Sequence, residues 1–381
     1  MSFKNILYLD NTSSTKIDPE ILATYNKITS KYFANSSSIH RLGVEVCSLE
    51  DKSKQQILDL LKVKNYRLIF TSGATEANNI AIKSIALKYQ HLGKHLITSE
   101  VEHPSVYNSF KFLEEYMDFE VTYLKVNKNG EIDLNELKAC LRADTILVSI
   151  MAVNNEIGTI INHQEWCALV KENSKAFTHV DMVQALGEYD LDFTNVDLAS
   201  FSAHKIHGVK GSGFLLMRDH LKLVPLISGG PQQYSFRAGT LNSPANIVLA
   251  KTVRITLENQ TKNSKQLKLL NDYLYNELKK IPEVTLNSCQ AKSVYNIVNF
   301  SIKGIESEIT LNALSNKNIF VSAGSTCQSD LYIESRVLKA IGKDNIAQKS
   351  RVRVGLDANL KVEDMEFFIN TIKEIIDKYA I

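Results

Sequence analysis

Apolar positions recur every three to four residues over several long stretches, and short dense apolar runs lie between them. Asp18-Pro19-Glu20 reads as an N-cap, a proline at the first helical position and a first-turn acid, and predicts a helix to about Tyr32. Further helices are predicted over residues 45–61, 76–89 and 165–172, and Asp133 with Glu136 has the spacing of a capping box before a helix to Leu141. Strands are predicted over residues 67–71, 95–98, 121–124, 177–180, 198–202 and 213–217. The run 146–153 is continuously apolar and rich in β-branched residues, as expected of a strand buried on both faces. Strands that alternate with helices imply crossover units and a mostly parallel sheet.

The texture changes after about Asn246. A long helix to about Lys280 carries Leu267, Leu270, Leu274 and Leu278 on one face. A strand over 296–302, a helix over 309–315 and an amphipathic helix from Val362 follow, which suggests a smaller α+β unit. No Gly/Ser linker separates the two parts, so they should pack tightly.

Composition narrows the function classes. Among 381 residues, 44 Lys or Arg oppose 42 Asp or Glu, a formal net charge of +2. That near-balance argues against a nucleic-acid binder held by a broad cationic face. The longest apolar runs are less than half a membrane span. The start of the chain lacks a long apolar stretch and a small-residue cleavage site, so no signal peptide is expected. The five cysteines, Cys47, Cys140, Cys167, Cys289 and Cys327, show no C-x-x-C spacing, so neither a zinc site nor a redox pair is expected. Sparse and odd in number, they suggest free thiols in a reducing compartment, each buried by default.

Four segments carry candidate chemistry. Thr71-Ser72-Gly73-Ala74-Thr75-Glu76 closes a strand and opens a helix, where small residues let backbone N–H groups approach an anion. An N-cap in a tight turn uses the same residues. Asp181 stands at a strand end, where ligands of parallel sheets gather; a turn aspartate is the other reading. The segment from Ser200 to Gly211 concentrates hydroxyls, imidazoles and amines after an apolar strand. A lysine there is a candidate Schiff-base amine or a solvated loop charge. Ser322-Ala323-Gly324-Ser325-Thr326-Cys327 is a small polar run with one thiol, either a nucleophile or an incidental loop cysteine.

Taken in order, these segments resemble the class V branch of the fold-type I pyridoxal-phosphate enzymes, and most closely the cysteine desulfurases of the NifS/IscS type. The resemblance runs through Tyr8-Leu9-Asp10-Asn11, residues 37–43, 71–79, Glu102-His103-Pro104-Ser105, residues 153–158, 181–184, 204–211 and 237–242, and ends in the Cys327 segment. It implies a large domain with a mostly parallel seven-stranded sheet between helices (residues 17–250). A smaller α+β domain (residues 1–16 and 251–381) would carry the nucleophilic cysteine.

Residue roles follow from the same resemblance. Lys205 matches the lysine that forms the Schiff base with pyridoxal 5'-phosphate, and Lys210 the second lysine of that motif. Asp181 would pair with the pyridine nitrogen, His103 would stack on the ring and Gln184 would bond its phenolic oxygen. Thr75, Ser202 and His204, with N–H groups near Ala74, would hold the phosphate, and Thr240 would reach the phosphate of a neighbouring subunit. Asn155 and Arg353 would hold the substrate carboxylate, and Cys327 would accept sulfur from L-cysteine, leaving L-alanine. No metal is implied. A cytoplasmic homodimer is implied, together with a partner such as an iron–sulfur scaffold or another sulfur acceptor. A selenocysteine lyase, another class V aminotransferase or a non-catalytic docking homologue shares most of these residues.

The chain departs from the family pattern in places. Asn11-Thr12-Ser13-Ser14-Thr15-Lys16 stands where the family usually has an Ala-Ala-Thr-Thr-Pro run, Val209 replaces a proline and Gln233 a usual glutamate.

Overall fold

The computed structural model describes residues 6–324 and 334–379. In chain order the strands are β1 (Leu7–Tyr8), β2 (Tyr66–Thr71), β3 (His95–Ser99), β4 (Glu120–Leu124), β5 (Thr145–Ser149), β6 (Phe177–Asp181), β7 (Leu198–Ser202), β8 (Gly213–Arg218), β9 (Val284–Leu286), β10 (Ile297–Ile302), β11 (Ile319–Phe320) and β12 (Arg351–Gly355). Seven of them form one sheet in the order β2-β8-β7-β6-β5-β3-β4. The neighbours from β4 through β7 are parallel, and only β8 runs against its two partners. Strands β2, β3, β5, β6 and β7 therefore all end on the same edge. The expected α/β class and seven-stranded, mostly parallel sheet are present.

Helices cover both faces of this sheet because its residues are apolar on both sides. Ile69, Leu96, Leu147, Leu198, Leu215 and Met217 meet Ile82, Ile85, Phe110 and Leu113 on one face. Leu68, Ile97, Val148, Val180 and Phe201 meet Ile57, Trp166 and Val170 on the other. Burial on this scale is the main favourable term in holding such a layered fold together.

A second core surrounds the antiparallel sheet β12-β10-β9 and the short pair β1-β11. Val298, Phe300, Val352 and Val354 pack there against Phe368, Ile372 and Ile376 of helix Val362–Tyr379. Helix Ser243–Leu278 joins the two cores, with Leu249 and Val253 in the first and Leu267, Leu270, Leu274 and Leu278 in the second. Helix Pro19–Lys31 starts as the sequence predicts: the Asp18 carboxylate accepts from the N–H groups of Glu20 and Ile21 at 2.7 and 3.2 Å.

Two expectations need correction. The apolar run 146–153 is regular strand only as β5, ending at Ser149, although the Ile150 and Ala152 N–H groups still donate to the His179 and Asp181 carbonyls of β6 at 3.2 and 2.9 Å. Between them, the Glu102 carboxylate takes the Met151 N–H at 3.1 Å. Strand β12 was not expected, because Arg351-Val352-Arg353-Val354 carries charge at alternate positions; the structure buries both arginines. Among the cysteines, Cys167 is buried as expected, whereas Cys47, Cys140 and Cys289 are only partly so. Cys327 lies outside the described residues. No helix among the described residues is long and apolar enough to cross a membrane.

Candidate active site

The shared carboxyl edge of the sheet opens into a cavity of about 460 Å³. Ala74, Thr75, His103, Asn155, Asp181, Gln184, Ser202, His204, Lys205 and Arg353 all line it, which gathers ten of the twelve expected site residues in one place. Thr240 does not line it; it is exposed on a loop of the same chain.

One end of the cavity is built to receive an anion. Helix Ala74–Tyr89 begins there, directly after β2, and directs its first N–H groups and dipole at the space. Gly73 has φ +149, a conformation that a side chain would strain. Gly213 must also lack a side chain, since a Cβ would lie 2.7 Å from the Gly73 Cα. Thr75 and Ser202 add hydroxyls, and the buried Nδ1 of His204 has no partner among the described residues. Burial and the nearby Lys205 and Lys210 depress the His204 imidazole to about 4, so it is neutral and can donate from one nitrogen. Glu76, in the first turn of the helix, accepts from the Ser72 N–H at 2.8 Å. Arg237 neutralises it through bonds of 2.6 and 3.3 Å, so its charge does not oppose an anion nearby.

In the middle stands Asp181, the last residue of β6. Its carboxylate accepts from Asn78 Nδ2 at 2.8 Å and from the Val183 N–H at 3.1 Å. Burial raises its pKa and these bonds work against the rise. Asn78 Nδ2 also donates to Ser105 Oγ at 2.9 Å, and Ser105 Oγ lies 2.8 Å from His103 Nδ1. The Ser105 N–H donates to the same ring nitrogen at 3.2 Å, so His103 caps helix Pro104–Tyr116 with that nitrogen as acceptor. Burial, with smaller contributions from Lys205 and Arg336, holds His103 at about 4, a neutral ring. The chain Asp181–Asn78–Ser105–His103 thus fixes a carboxylate and an imidazole relative to each other. Sequence reasoning missed Asn78 and Ser105 as functional residues, although both fall inside segments that carried the resemblance.

Lys205 follows β7 on a short 3-10 turn, and its Nζ donates to the carbonyls of Thr12 and Ser13 at 2.6 and 2.8 Å. Gln184 Nε2 donates to the same Thr12 carbonyl at 3.1 Å. At the far end Arg353 is buried on β12. It donates to the Asn155 carbonyl at 2.8 Å, to Ser13 Oγ at 2.6 Å and to Asp10 at 3.3 Å, while its buried Nε has no partner among the described residues.

Comparison with known proteins accounts for this arrangement. A family model described as aminotransferase class-V matches residues 7–368. The chain belongs to the aminotransferase class-V family. A NifS/IcsS protein homolog of Lactobacillus delbrueckii subsp. bulgaricus is 38% identical, with 98% of each chain covered. Cysteine desulfurase IscS of Dictyoglomus turgidum is also 38% identical, over 98% of this chain and 95% of its own. Among solved structures, a NifS-like protein superposes with a TM-score of 0.92 at 31% identity, covering 98% of this chain and all of its own. SspA in complex with cysteine superposes with a TM-score of 0.80 at 30% identity, over 92% of this chain and 99% of its own.

The class-V aminotransferase family works with pyridoxal 5'-phosphate. The cavity fits that cofactor on its own terms. It offers a helix N-terminus and an orphaned imidazole nitrogen for a phosphate, a buried carboxylate for a ring N–H and a neutral imidazole beside it. It also offers a lysine amine within the same walls.

Proposed function

We propose that this class-V protein is a pyridoxal-phosphate-dependent cysteine desulfurase that takes sulfur from L-cysteine, releases L-alanine and carries the sulfur as a persulfide on Cys327. The observation that carries the reading is the single cavity in which Lys205, Asp181, His103 and an anion cradle stand opposite a buried arginine. The relatives named as cysteine desulfurases support the same activity.

In this reading Thr75, Ser202, His204 and the N–H groups near Ala74 hold the cofactor phosphate. Asp181 would hold the protonated ring nitrogen, His103 would pack against the ring and Gln184 would bond its phenolic oxygen. When bound, the cofactor supplies an electron sink that stabilises negative charge at the substrate Cα. Lys205 Nζ would hold the cofactor at rest, and its amine would serve as the general base for the Cα proton. The Thr12 and Ser13 carbonyls orient that amine. Arg353 and Asn155 hold the substrate carboxylate; the contacts of Arg353 with Asn155, Ser13 and Asp10 leave guanidinium N–H groups, Nε among them, for that role.

The Cys327 thiolate then attacks the substrate sulfur. The sulfur–carbon bond breaks with its electron pair left on carbon, a sulfur–sulfur bond forms, and one proton at Cβ and one returned to Cα complete alanine. Cys327 itself is outside the described residues, but the residues flanking that segment support its role. A Cβ on Gly324 would lie 3.4 Å from Glu156 Oε2, and Ser335 Oγ donates to the same oxygen at 2.6 Å. Both flanks therefore meet at the side chain of Glu156, the residue after Asn155.

The protein works as a homodimer in which Thr240 reaches the neighbouring cofactor phosphate. The exposed Thr240 loop, tied to the cradle through Arg237 and Glu76, supports this arrangement. An iron–sulfur scaffold or another cytoplasmic sulfur-acceptor protein takes the persulfide. The test is sulfide release from L-cysteine with a thiol reductant. The wild type should release sulfide and equimolar alanine, and Cys327→Ser should lose sulfide release while retaining cofactor absorbance. Sulfide release by Cys327→Ser at the wild-type rate would refute the assignment.

A further inference from the structure

The arginine that faces the substrate carboxylate is itself held by a residue that departs from the family pattern. Ser13 lies in the run 11–16, which stands where the family usually has alanines followed by threonines and proline. Its Oγ accepts from Arg353 at 2.6 Å and donates to Asp10 Oδ1 at 2.7 Å. Asp10 Oδ1 also pairs with the same Arg353 nitrogen at 3.3 Å. The same residue's carbonyl accepts from Lys205 Nζ. Ser13 thus touches both the candidate base and the candidate carboxylate receptor.

The backbone makes this placement rigid. The N–H groups of Ser13 and Ser14 donate to the Asp10 carbonyl at 3.0 and 3.3 Å, closing a tight turn. That turn is stitched to β12, two residues past Arg353. The Gly355 N–H donates to the Leu9 carbonyl at 2.7 Å, and Asn11 Nδ2 donates to the Gly355 carbonyl at 3.0 Å. The approach is so close that a Cβ on Gly355 would lie 2.5 Å from the Thr12 nitrogen. The Ser13 backbone therefore cannot move away from Arg353 without unpicking this crossing.

The consequence is geometric. A buried guanidinium has several ways to turn, and its affinity for a carboxylate depends on presenting the right edge. The Asn155 carbonyl takes Nη1, and Ser13 with Asp10 takes Nη2, so the rotation of the group is set before any ligand arrives. The Asp10 contact alone is long, and the shorter serine bond supplies the alignment.

We propose that Ser13 is a positioning residue that determines specificity for a substrate carboxylate, by presetting Arg353 together with Asp10. This rests on the reading that Arg353 receives that carboxylate. It adds a residue found only through the geometry, and it predicts that small α-amino acids gain more from Ser13 than amines of the same length do.

The test uses the full-length holoenzyme and Ser13→Ala, a change that brings in an alanine of the kind usual in this run. Two probes are titrated by cofactor absorbance: L-alanine, and ethylamine as the same skeleton without its carboxylate. The dissociation constant of L-alanine and KM for L-cysteine should both rise about fivefold, the factor equivalent to about 1 kcal/mol for one weakened charged hydrogen bond. The ethylamine constant, the resting absorbance and kcat should stay within about twofold. Arg353→Lys serves as the control and should weaken L-alanine more than Ser13→Ala does. An unchanged L-alanine constant in Ser13→Ala, or equal weakening of both probes, overturns the role of Ser13. An unchanged L-alanine constant in Arg353→Lys overturns the underlying reading of Arg353 instead.

Discussion

Replacing Asn78 by alanine removes the donor that joins Asp181 to Ser105, and the structure sets the size of the effect. Asn78 is completely buried, and one of its hydrogens goes to a carboxylate at 2.8 Å. A hydrogen bond to a charged group contributes about 1.5–3 kcal/mol when both partners are desolvated. The bond favours the ionised form of Asp181, which burial opposes. Without it Asp181 keeps only the Val183 N–H, its pKa rises further, and its grip on a protonated ring nitrogen weakens. Ser105 also loses its tie to Asp181, so the His103 ring is less well placed. Taking about 2 kcal/mol for the lost bond, cofactor affinity should fall roughly 30-fold. The assay is titration of the apoenzyme with pyridoxal phosphate, followed by absorbance, with a thermal melt of the apoenzyme as the folding control. The variant should bind more weakly. A dissociation constant within twofold of wild type, with a native melt, would refute the view that Asn78 tunes Asp181.

Other consequences follow from buried charge. Burial pushes the Glu102 carboxyl up to about 8, against bonds from Ser99 Oγ and the Met151 N–H that lower it. A carboxyl raised on folding contributes stability that is complete below its ordinary value and is lost as pH climbs through the raised one. Tm should therefore fall between about pH 4.5 and 8, and Glu102→Gln should flatten that fall. Part of the slope should remain, because Glu188, bonded by Asn296, is pushed up to about 8 in the same direction. His103, depressed to about 4, should give no limb between pH 6 and 9 in the profile of kcat/KM. Ser335→Ala removes both a bond to Glu156 and an acceptor for the Leu338 N–H; it should cost about 2 kcal/mol in urea unfolding and slow sulfide release while leaving cofactor absorbance intact.

The fold was legible where the apolar rhythm was clean. The β-α alternation through β8 and the long Ser243–Leu278 helix follow from period-2 and period-3.6 patterns that the sheet and helix geometry impose. Strand β12 was not legible, because its arginines look like surface charge until Asp10, Ser13 and Asn155 are seen around Arg353. The end of β5 was misjudged for the converse reason: the apolar run continues and still bonds to β6 through Ile150 and Ala152, but a buried carboxylate from another loop takes the Met151 N–H and ends the regular strand. Site residues at strand ends, such as Asp181 and Lys205, could be singled out by position, and their roles came from resemblance. Asn78 and Ser105 could not, since their bonds span 103 and 27 residues of chain and leave no local mark.

The central claim is that sulfur passes from L-cysteine to one thiol of this protein. The direct measurement is to incubate the holoenzyme with L-cysteine without reductant, alkylate, digest, and weigh the cysteine peptides. The peptide containing Cys327 should carry one additional sulfur atom, with L-alanine formed in equal amount, and the peptides containing Cys47, Cys140, Cys167 and Cys289 should not. Alanine without added sulfur on Cys327, or sulfur on a different cysteine, would contradict the account.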